Sequence, residues 1–294
     1  MSRPRFAIAV HGGAGRWKPR QDAEALAGVA AALQAGAAEL ERGGTALAAA
    51  VAAVVILEDH PAFNAGTGSA LNARGEAEMD AAVMLGSAAR FGGVCAIRRV
   101  KNPVLVAKAV MNETPHALLA GDGARAFARA CGFGDHDPVT EARVAELNAA
   151  RARGVRASPM AGPTDTVGAV ALDTAGQLAA ATSTGGVAMK LPGRVGDSPL
   201  PGAGTYATTL CAASATGLGE AILCRLSTRS LCDLVAAGRT PDQAISAVLE
   251  ELHGADAGFI AVDANGRIGV AHNTRAMPHA FLAAGARAPT VRMR

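Results

Sequence analysis

The chain has 294 residues, half of them apolar and only 3% aromatic, with five cysteines and a net charge of 28 minus 25, or +3. That length buries a sizeable core, packed here from small aliphatic side chains, in one large domain or two small ones. The charges are too scattered for the basic face that nucleic-acid binding needs, no apolar run reaches the roughly 18 residues of a membrane helix, and the dispersed cysteines offer neither a disulfide framework nor a C-x-x-C zinc site.

Residues 5–11, "RFAIAVH", read as a buried strand running into the glycine turn "GGAG". The apolar run there is too short for a signal peptide, and a cytoplasmic location is expected. Residues 22–42 carry helical periodicity and stop at "GG". Thr45 is placed to cap a second helix through about Asp59. A loop, "HPAFNAGTGSALN", precedes two strand-like runs, "EMDAAVMLG" and "FGGVCAIRRV", which form a hairpin. Pro103 opens a helix at 104–112, and residues 122–132 and 138–152 are helical. At 153–165, "RGVRASPMAGPTD", the periodicity disappears and a linker is predicted. "TVGAVALD" and "QLAAATST" then form a hairpin around "TAG". Residues 203–215 read as strand, 217–237 and 241–253 as helices, and "GFIAVDANGRIGVAHNT" as a hairpin around "ANGR". Strands at both ends with helices between them predict an α+β sandwich in two halves, not an alternating βαβ fold. No internal repeat is visible.

Thr166 opens the strand after the linker. On local sequence it reads first as a β-branched residue starting a strand. The alternative is a latent nucleophile. A threonine hydroxyl needs a base beside it, and an α-amino group, with a pKa of about 7.7–8.0, is such a base. Cleavage between Asp165 and Thr166 would create that amine. Arg194 and Asp197, three apart in "KLPGRVGDSPLPGAG", are either a surface ion pair or a clamp for the carboxylate and ammonium of an amino acid. Thr216 and Gly217 in "ATGLGE" are placed at a helix start, as a cap or as an oxyanion site. "HGGAG" matches no phosphate loop or dinucleotide fingerprint, and no G-x-S-x-G occurs.

Taken in order, "HGGAG", "FNAGTGSALN", "GEAEMDAAVM", "DTVGAVALD", "LAAATSTGG", "LPGRVGDSPLPGAG", "ATGLGE" and "GFIAVD" strongly resemble the plant-type asparaginase/isoaspartyl peptidase family of N-terminal-nucleophile hydrolases. The resemblance spans the chain from His11 to about Thr274. It implies a four-layer αββα sandwich and self-cleavage before Thr166, giving an α part, 1–165, and a β part, 166–294. It implies Thr166 as nucleophile with its new amine as base, and Thr184 as its hydrogen-bond partner. Thr216 and Gly217 would form the oxyanion hole, with Asn64 nearby. Arg194 would bind the substrate α-carboxylate and Asp197 its α-ammonium, with Gly219 lining the site. It implies no required cofactor, a structural sodium held by the backbone carbonyls of Leu57, Glu58, His60, Phe63, Ala65 and Thr67, and a dimer of αβ units. Asparagine and β-aspartyl dipeptides are the implied small-molecule substrates, with no nucleic-acid or membrane partner. Many members have Gly before the nucleophile. Asp165 is instead similar to glycosylasparaginases, which leaves a glycosylasparaginase, or an unprocessed non-catalytic homologue, as alternatives.

Overall fold

The computed structural model describes residues 6–15, 17–154 and 166–294. In chain order it contains strand β1 (Ala7–His11), helices α1 (Asp22–Glu41) and α2 (Ala46–Asp59), strands β2 (Met79–Leu85) and β3 (Arg90–Ile97), helix α3 (Pro103–Glu113), strand β4 (Leu118–Ala120), and helices α4 (Gly121–Ala130) and α5 (Glu141–Ala152). After the predicted linker come strands β5 (Val167–Leu172), β6 (Leu178–Thr184), β7 (Thr205–Ala207) and β8 (Cys211–Gly217), helices α6 (Gly219–Cys224), α7 (Ser227–Ala236) and α8 (Pro241–Glu251), and strands β9 (Ala257–Asp263), β10 (Ile268–His272), β11 (His279–Leu282) and β12 (Thr290–Arg292). Of the predicted linker, residues 155–165, including Asp165, lie outside the described residues.

The strands make two sheets, one ordered β12-β11-β1-β5-β6-β2-β3-β4 and the other β10-β9-β8-β7. Helices and sheets mix without βαβ alternation, so the class is α+β. Every pairing is antiparallel except β3 with β4. Helices α1, α2 and α3 bury their alanine- and valine-rich faces against the large sheet. Helices α7 and α8 do the same against the small one. The remaining faces of the two sheets meet through Val170, Leu172, Ala212, Ile260 and Val262.

Local chemistry explains the element ends. The Thr45 hydroxyl accepts from the Ala48 N–H at 3.2 Å and caps α2. Asp173 turns the β5–β6 hairpin by accepting from the N–H groups of Ala175 and Gln177 at 3.0 and 2.9 Å. Its second oxygen accepts from Ala46 at 2.9 Å, tying this turn to the first residue of α2. Asp263 repeats the device at the β9–β10 turn, accepting from Asn265 and Arg267 at 3.0 and 2.9 Å.

Two predicted segments differ from the structure, and three strands were not predicted. Residues 217–237 are not one helix: α6 and α7 are separated at Leu226, whose φ of 49° is left-handed and breaks the helical path. Residues 203–215 hold two strands joined by a turn, because the Thr208 hydroxyl accepts from the N–H groups of both Leu210 and Cys211 at 3.1 Å. Strands β4, β11 and β12 were not anticipated, since three or four residues are too few to display alternation.

Close sheet contact depends on Gly168 of β5. A Cβ there would lie 2.1 Å from Ser214 Oγ on β8 and 2.5 Å from His11 Nε2. His11 Nε2 and Ser214 Oγ are 2.9 Å apart, and Ser214 Oγ is 2.8 Å from Thr182 Oγ1, so a buried polar chain runs between the sheets at this glycine. Gly168→Ala is expected to cost about 1–3 kcal/mol through overpacking. Denaturant unfolding checks this, and Gly168→Ala/Ser214→Gly should recover much of the loss.

Candidate active site

The β5–β6 register pairs Val167 with Ser183. The next pair outward is Thr166 and Thr184, and the hydroxyls meet: Thr166 Oγ1 donates to Thr184 Oγ1 at 3.1 Å. Thr184 Oγ1 also accepts from the Gly186 N–H at 3.0 Å. Both side chains are buried. The two residues predicted to be neighbours are therefore brought together by strand register, and a slip of one residue would separate them. Thr184 supplies an acceptor but not a base, so ionisation of the Thr166 hydroxyl still requires an amine or equivalent.

Gly168 touches Ser214 across the sheets, and Val170 and Leu172 pack in one cluster with Ala212. Continuing that alternation two residues in each direction puts Thr166 and Thr216 at the same end of the intersheet space. Thr216 Oγ1 accepts from the Ala14 N–H at 3.1 Å, bringing the glycine turn after β1 to this end too. The expected helix start at Thr216 and Gly217 is corrected: both belong to β8, and α6 begins at Gly219. Gly217 has φ of 138°, and a Cβ there would lie 2.3 Å from the Asp256 carbonyl, so the strand can end this way only at glycine. Asn64 is placed on the Thr184 side. Its Nδ2 donates to the Gly186 carbonyl at 2.6 Å, its Oδ1 accepts from Ala70 at 2.7 Å, and its own carbonyl accepts from Gly185 at 2.8 Å. It fixes the turn that holds Thr184.

Arg194 and Asp197 are not a surface ion pair. The Arg194 guanidinium is engaged by Glu220, with Nε to Oε1 and Nη2 to Oε2 both at 3.0 Å. That fork-to-fork geometry is how a guanidinium reads any carboxylate. Burial pushes the Glu220 carboxyl up, but the hydrogen bonds and charge of Arg194 outweigh it and hold it below its usual range. Asp197 is buried, and its Oδ2 has no hydrogen-bond partner among the described residues. Burial pushes its pKa up to about 7, against the pull of Arg194. A buried carboxyl oxygen without a partner is costly and gains from any donor that reaches it. Gly219 lies against both groups: a Cβ there would be 2.7 Å from Arg194 Nη2 and 2.9 Å from Asp197 Oδ1. Sequence reasoning missed Glu220, although it closes the quoted "ATGLGE".

Among the described residues no group of three or more His, Cys, Asp and Glu side chains is arranged to hold a metal ion. The carbonyl segment after α2 curls on itself. Leu57, Glu58 and His60 carbonyls accept from His60, Thr67 and Phe63 at 3.3, 2.8 and 3.1 Å. A Cβ at Gly66 would lie 2.5 Å from the Glu58 oxygen, and one at Gly68 would lie 3.0 Å from that of Phe63. Each carbonyl keeps a second lone pair, the hard-oxygen donor chemistry that alkali cations take. Among the described residues the carbonyls of Ala65 and Thr67 accept no hydrogen bond.

The family model described as asparaginase matches residues 4–291. The chain belongs to the asparaginase family. This is a family of N-terminal-nucleophile hydrolases. The chain is 43% identical to the plant-type L-asparaginase of Thermococcus kodakarensis over 302 residues, covering 95% of this chain and 97% of that protein. It is 41% identical to the isoaspartyl peptidase of Salmonella typhimurium, with 95% of each chain covered. It is 42% identical to the isoaspartyl peptidase/L-asparaginase of Danio rerio, covering 88% of this chain and 86% of that one.

Asp197 has a measurable consequence. Between the ordinary carboxyl pKa of about 4 and the folded value of about 7, the folded chain holds a proton that the unfolded chain has released. Stability contributed by this residue therefore falls as pH rises through that window. Asp197→Asn, which cannot titrate, should gain on the wild-type chain between pH 5 and pH 8, by on the order of 2–3 kcal/mol, because about two units of the shift fall in that interval. Denaturant midpoints at the two pH values check this, and parallel pH dependence in both proteins contradicts it.

Proposed function

We propose that this chain is a self-processing amidohydrolase that cleaves L-asparagine to L-aspartate and ammonia and hydrolyses β-aspartyl dipeptides. The observation that carries this is the Thr166–Thr184 hydroxyl pair in a chain that matches the asparaginase family from residue 4 to 291. The relatives' names, L-asparaginase and isoaspartyl peptidase, favour these substrates over glycosylated asparagine. The finer architecture we infer is a four-layer αββα sandwich. Its support is the burial of α1–α3 on one sheet, α7 and α8 on the other, and the apolar cluster between the sheets.

In the proposed reaction, cleavage before Thr166 divides the chain into 1–165 and 166–294. Thr166 Oγ1 attacks the Asp165 carbonyl, the peptide becomes an ester, and water hydrolyses that ester, leaving a carboxylate at Asp165 and an amine at Thr166. In turnover the amine takes the hydroxyl proton as Oγ1 attacks the side-chain amide carbon of the substrate. Thr184 orients the hydroxyl. The Thr216 hydroxyl and Gly217 N–H hold the oxyanion. The C–N bond breaks, the leaving amine carries off the proton, and an aspartyl ester remains on Thr166. Water, deprotonated by the same amine, releases aspartate. Arg194 binds the substrate α-carboxylate, which displaces Glu220 from the fork, and Asp197 binds the α-ammonium. This explains a requirement for free α-groups.

We further propose that Leu57, Glu58, His60, Phe63, Ala65 and Thr67 hold a sodium ion through their carbonyls. When bound it would stiffen the segment carrying Asn64, which holds the Thr184 turn. No other cofactor enters the reading. A dimer of αβ units and a cytoplasmic location complete the proposal. All five cysteines are unpaired, which supports a reducing compartment, and among the described residues no helix is long and apolar enough to cross a membrane.

Two measurements test this. Purified wild-type protein should run as two fragments on a denaturing gel and release ammonia from asparagine, whereas Thr166→Ala should run as one band and release none. A single wild-type band with no ammonia release contradicts the proposal. Arg194→Ala should raise KM for asparagine and β-aspartyl-leucine by roughly 10- to 100-fold or more, the loss of a charged hydrogen-bond pair; unchanged kinetics contradict its carboxylate role.

A further inference from the structure

Three buried charged side chains at the loop of residues 190–197 take no part in the reaction described above: Glu78 and Asp80, which hold its backbone, and Lys190, with which it begins. Asp80 sits on β2 directly opposite Thr184 of β6. Its Oδ2 accepts from the Gly196 N–H at 3.3 Å, and its Oδ1 accepts from Ala96 at 2.7 Å. Gly196 stands between Arg194 and Asp197. One residue thus joins the two halves of the site, its backbone paired to the neighbour of the nucleophile and its carboxyl gripping the loop that bears both anchors. Glu78 adds a second grip. Its Oε2 accepts from Gly193 at 2.8 Å, and its carbonyl accepts from Lys190 Nζ at 2.6 Å. Burial pushes the Asp80 carboxyl up and the Lys190 ammonium down, and each opposes the shift of the other through its charge. Groups so costly to bury persist only where their hydrogen bonds and partners hold them.

We propose that Asp80 is a positioning residue that sets the span between the Thr166–Thr184 pair and the Arg194–Asp197 anchors, and so selects substrates whose scissile carbonyl is one methylene from the α-carbon. This rests on the function proposed above. A substrate with a free α-ammonium and α-carboxylate is fixed at one end by the loop, and its carbonyl must then fall at Thr166 Oγ1. Asparagine meets that span. Glutamine, one methylene longer, overshoots it. Lys190 opposes through its charge the upward shift that burial imposes on the Asp80 carboxyl, and Glu78 limits sliding of the loop at Gly193.

The test compares self-cleaved wild-type protein with Asp80→Asn, Glu78→Gln and the charge-neutral Asp80→Asn/Lys190→Met, using asparagine and glutamine as substrates. Self-cleavage should persist in all three. Asp80→Asn should raise KM for asparagine by about 10- to 100-fold with kcat within about threefold of wild type, and should narrow the asparagine-over-glutamine ratio of kcat/KM. Glu78→Gln should shift both in the same direction by less. The double variant should regain melting temperature lost by Asp80→Asn but not its KM, because it restores charge balance without restoring the grip on Gly196. If Asp80→Asn alone does not fold, the double variant and Glu78→Gln give the same readouts. KM and selectivity at wild-type values in the folded variants overturn the proposal, as does a KM that recovers together with stability in the double variant. A wild-type protein that releases no ammonia counts instead against the proposed function.

Discussion

The register of β5 against β6 is the constraint on which the site depends. It sets Thr166 opposite Thr184, and every other element is placed relative to that pair. β2 continues the register outward and brings Asp80 opposite Thr184. Across the intersheet space Gly168 lets β8 approach closely enough for its alternating residues to present Thr216 at the same end. Because side chains alternate with a period of two, a slip of one residue in either hairpin strand would turn these hydroxyls to the opposite face. The register is protected locally: Asp173 fixes the hairpin turn and anchors it to α2, and Asn64 fixes the opposite end at Gly185 and Gly186.

The second organising feature is electrostatic. Four buried charged groups, Glu78, Asp80, Lys190 and Asp197, gather under and around one loop in a protein whose core is dominated by small aliphatic side chains. Desolvation dominates there, lifting the carboxyls of Asp80 and Asp197 and depressing the ammonium of Lys190. Arg194 is already matched to Glu220, whereas Asp197 retains an unpartnered oxygen. The two groups are thus prepared asymmetrically: one is satisfied by a carboxylate already in place, and the other keeps an oxygen that has no hydrogen bond among the described residues. His11 completes the polar lining between the sheets. Burial pulls its ring down to about 3, so it stays neutral and links to Ser214 without adding charge.

Much of this was legible in the sequence, for identifiable reasons. The hairpins around residues 173–177 and 263–267 announced themselves through alternation broken by Asp and Gly, and the structure shows Asp173 and Asp263 making those turns. The threonine pair was expected from the family resemblance, and the hairpin register supplies its geometry. What was not legible depends on partners distant in sequence. Thr216 and Gly217 read as a helix start because Thr-Gly before "LGE" is a common cap pattern, whereas pairing with β9 extends β8 through both. Glu220 and Asp80 carry no signal of their own, because their roles come from Arg194, 26 residues earlier, and from Gly196, 116 residues later. Strands β11 and β12 are too short to show a period, and β11 pairs with β1 at the other end of the chain as well as with β12.

The most direct test of the account is to trap the covalent intermediate. Protein turning over saturating asparagine is quenched in acid, digested and mapped by mass spectrometry. An aspartyl ester on the peptide that begins with Thr166, present in wild-type protein and absent from Thr166→Ala, is the result expected. Active turnover with the aspartyl group on another residue, or with Thr166 still joined to Asp165, contradicts the account at its centre.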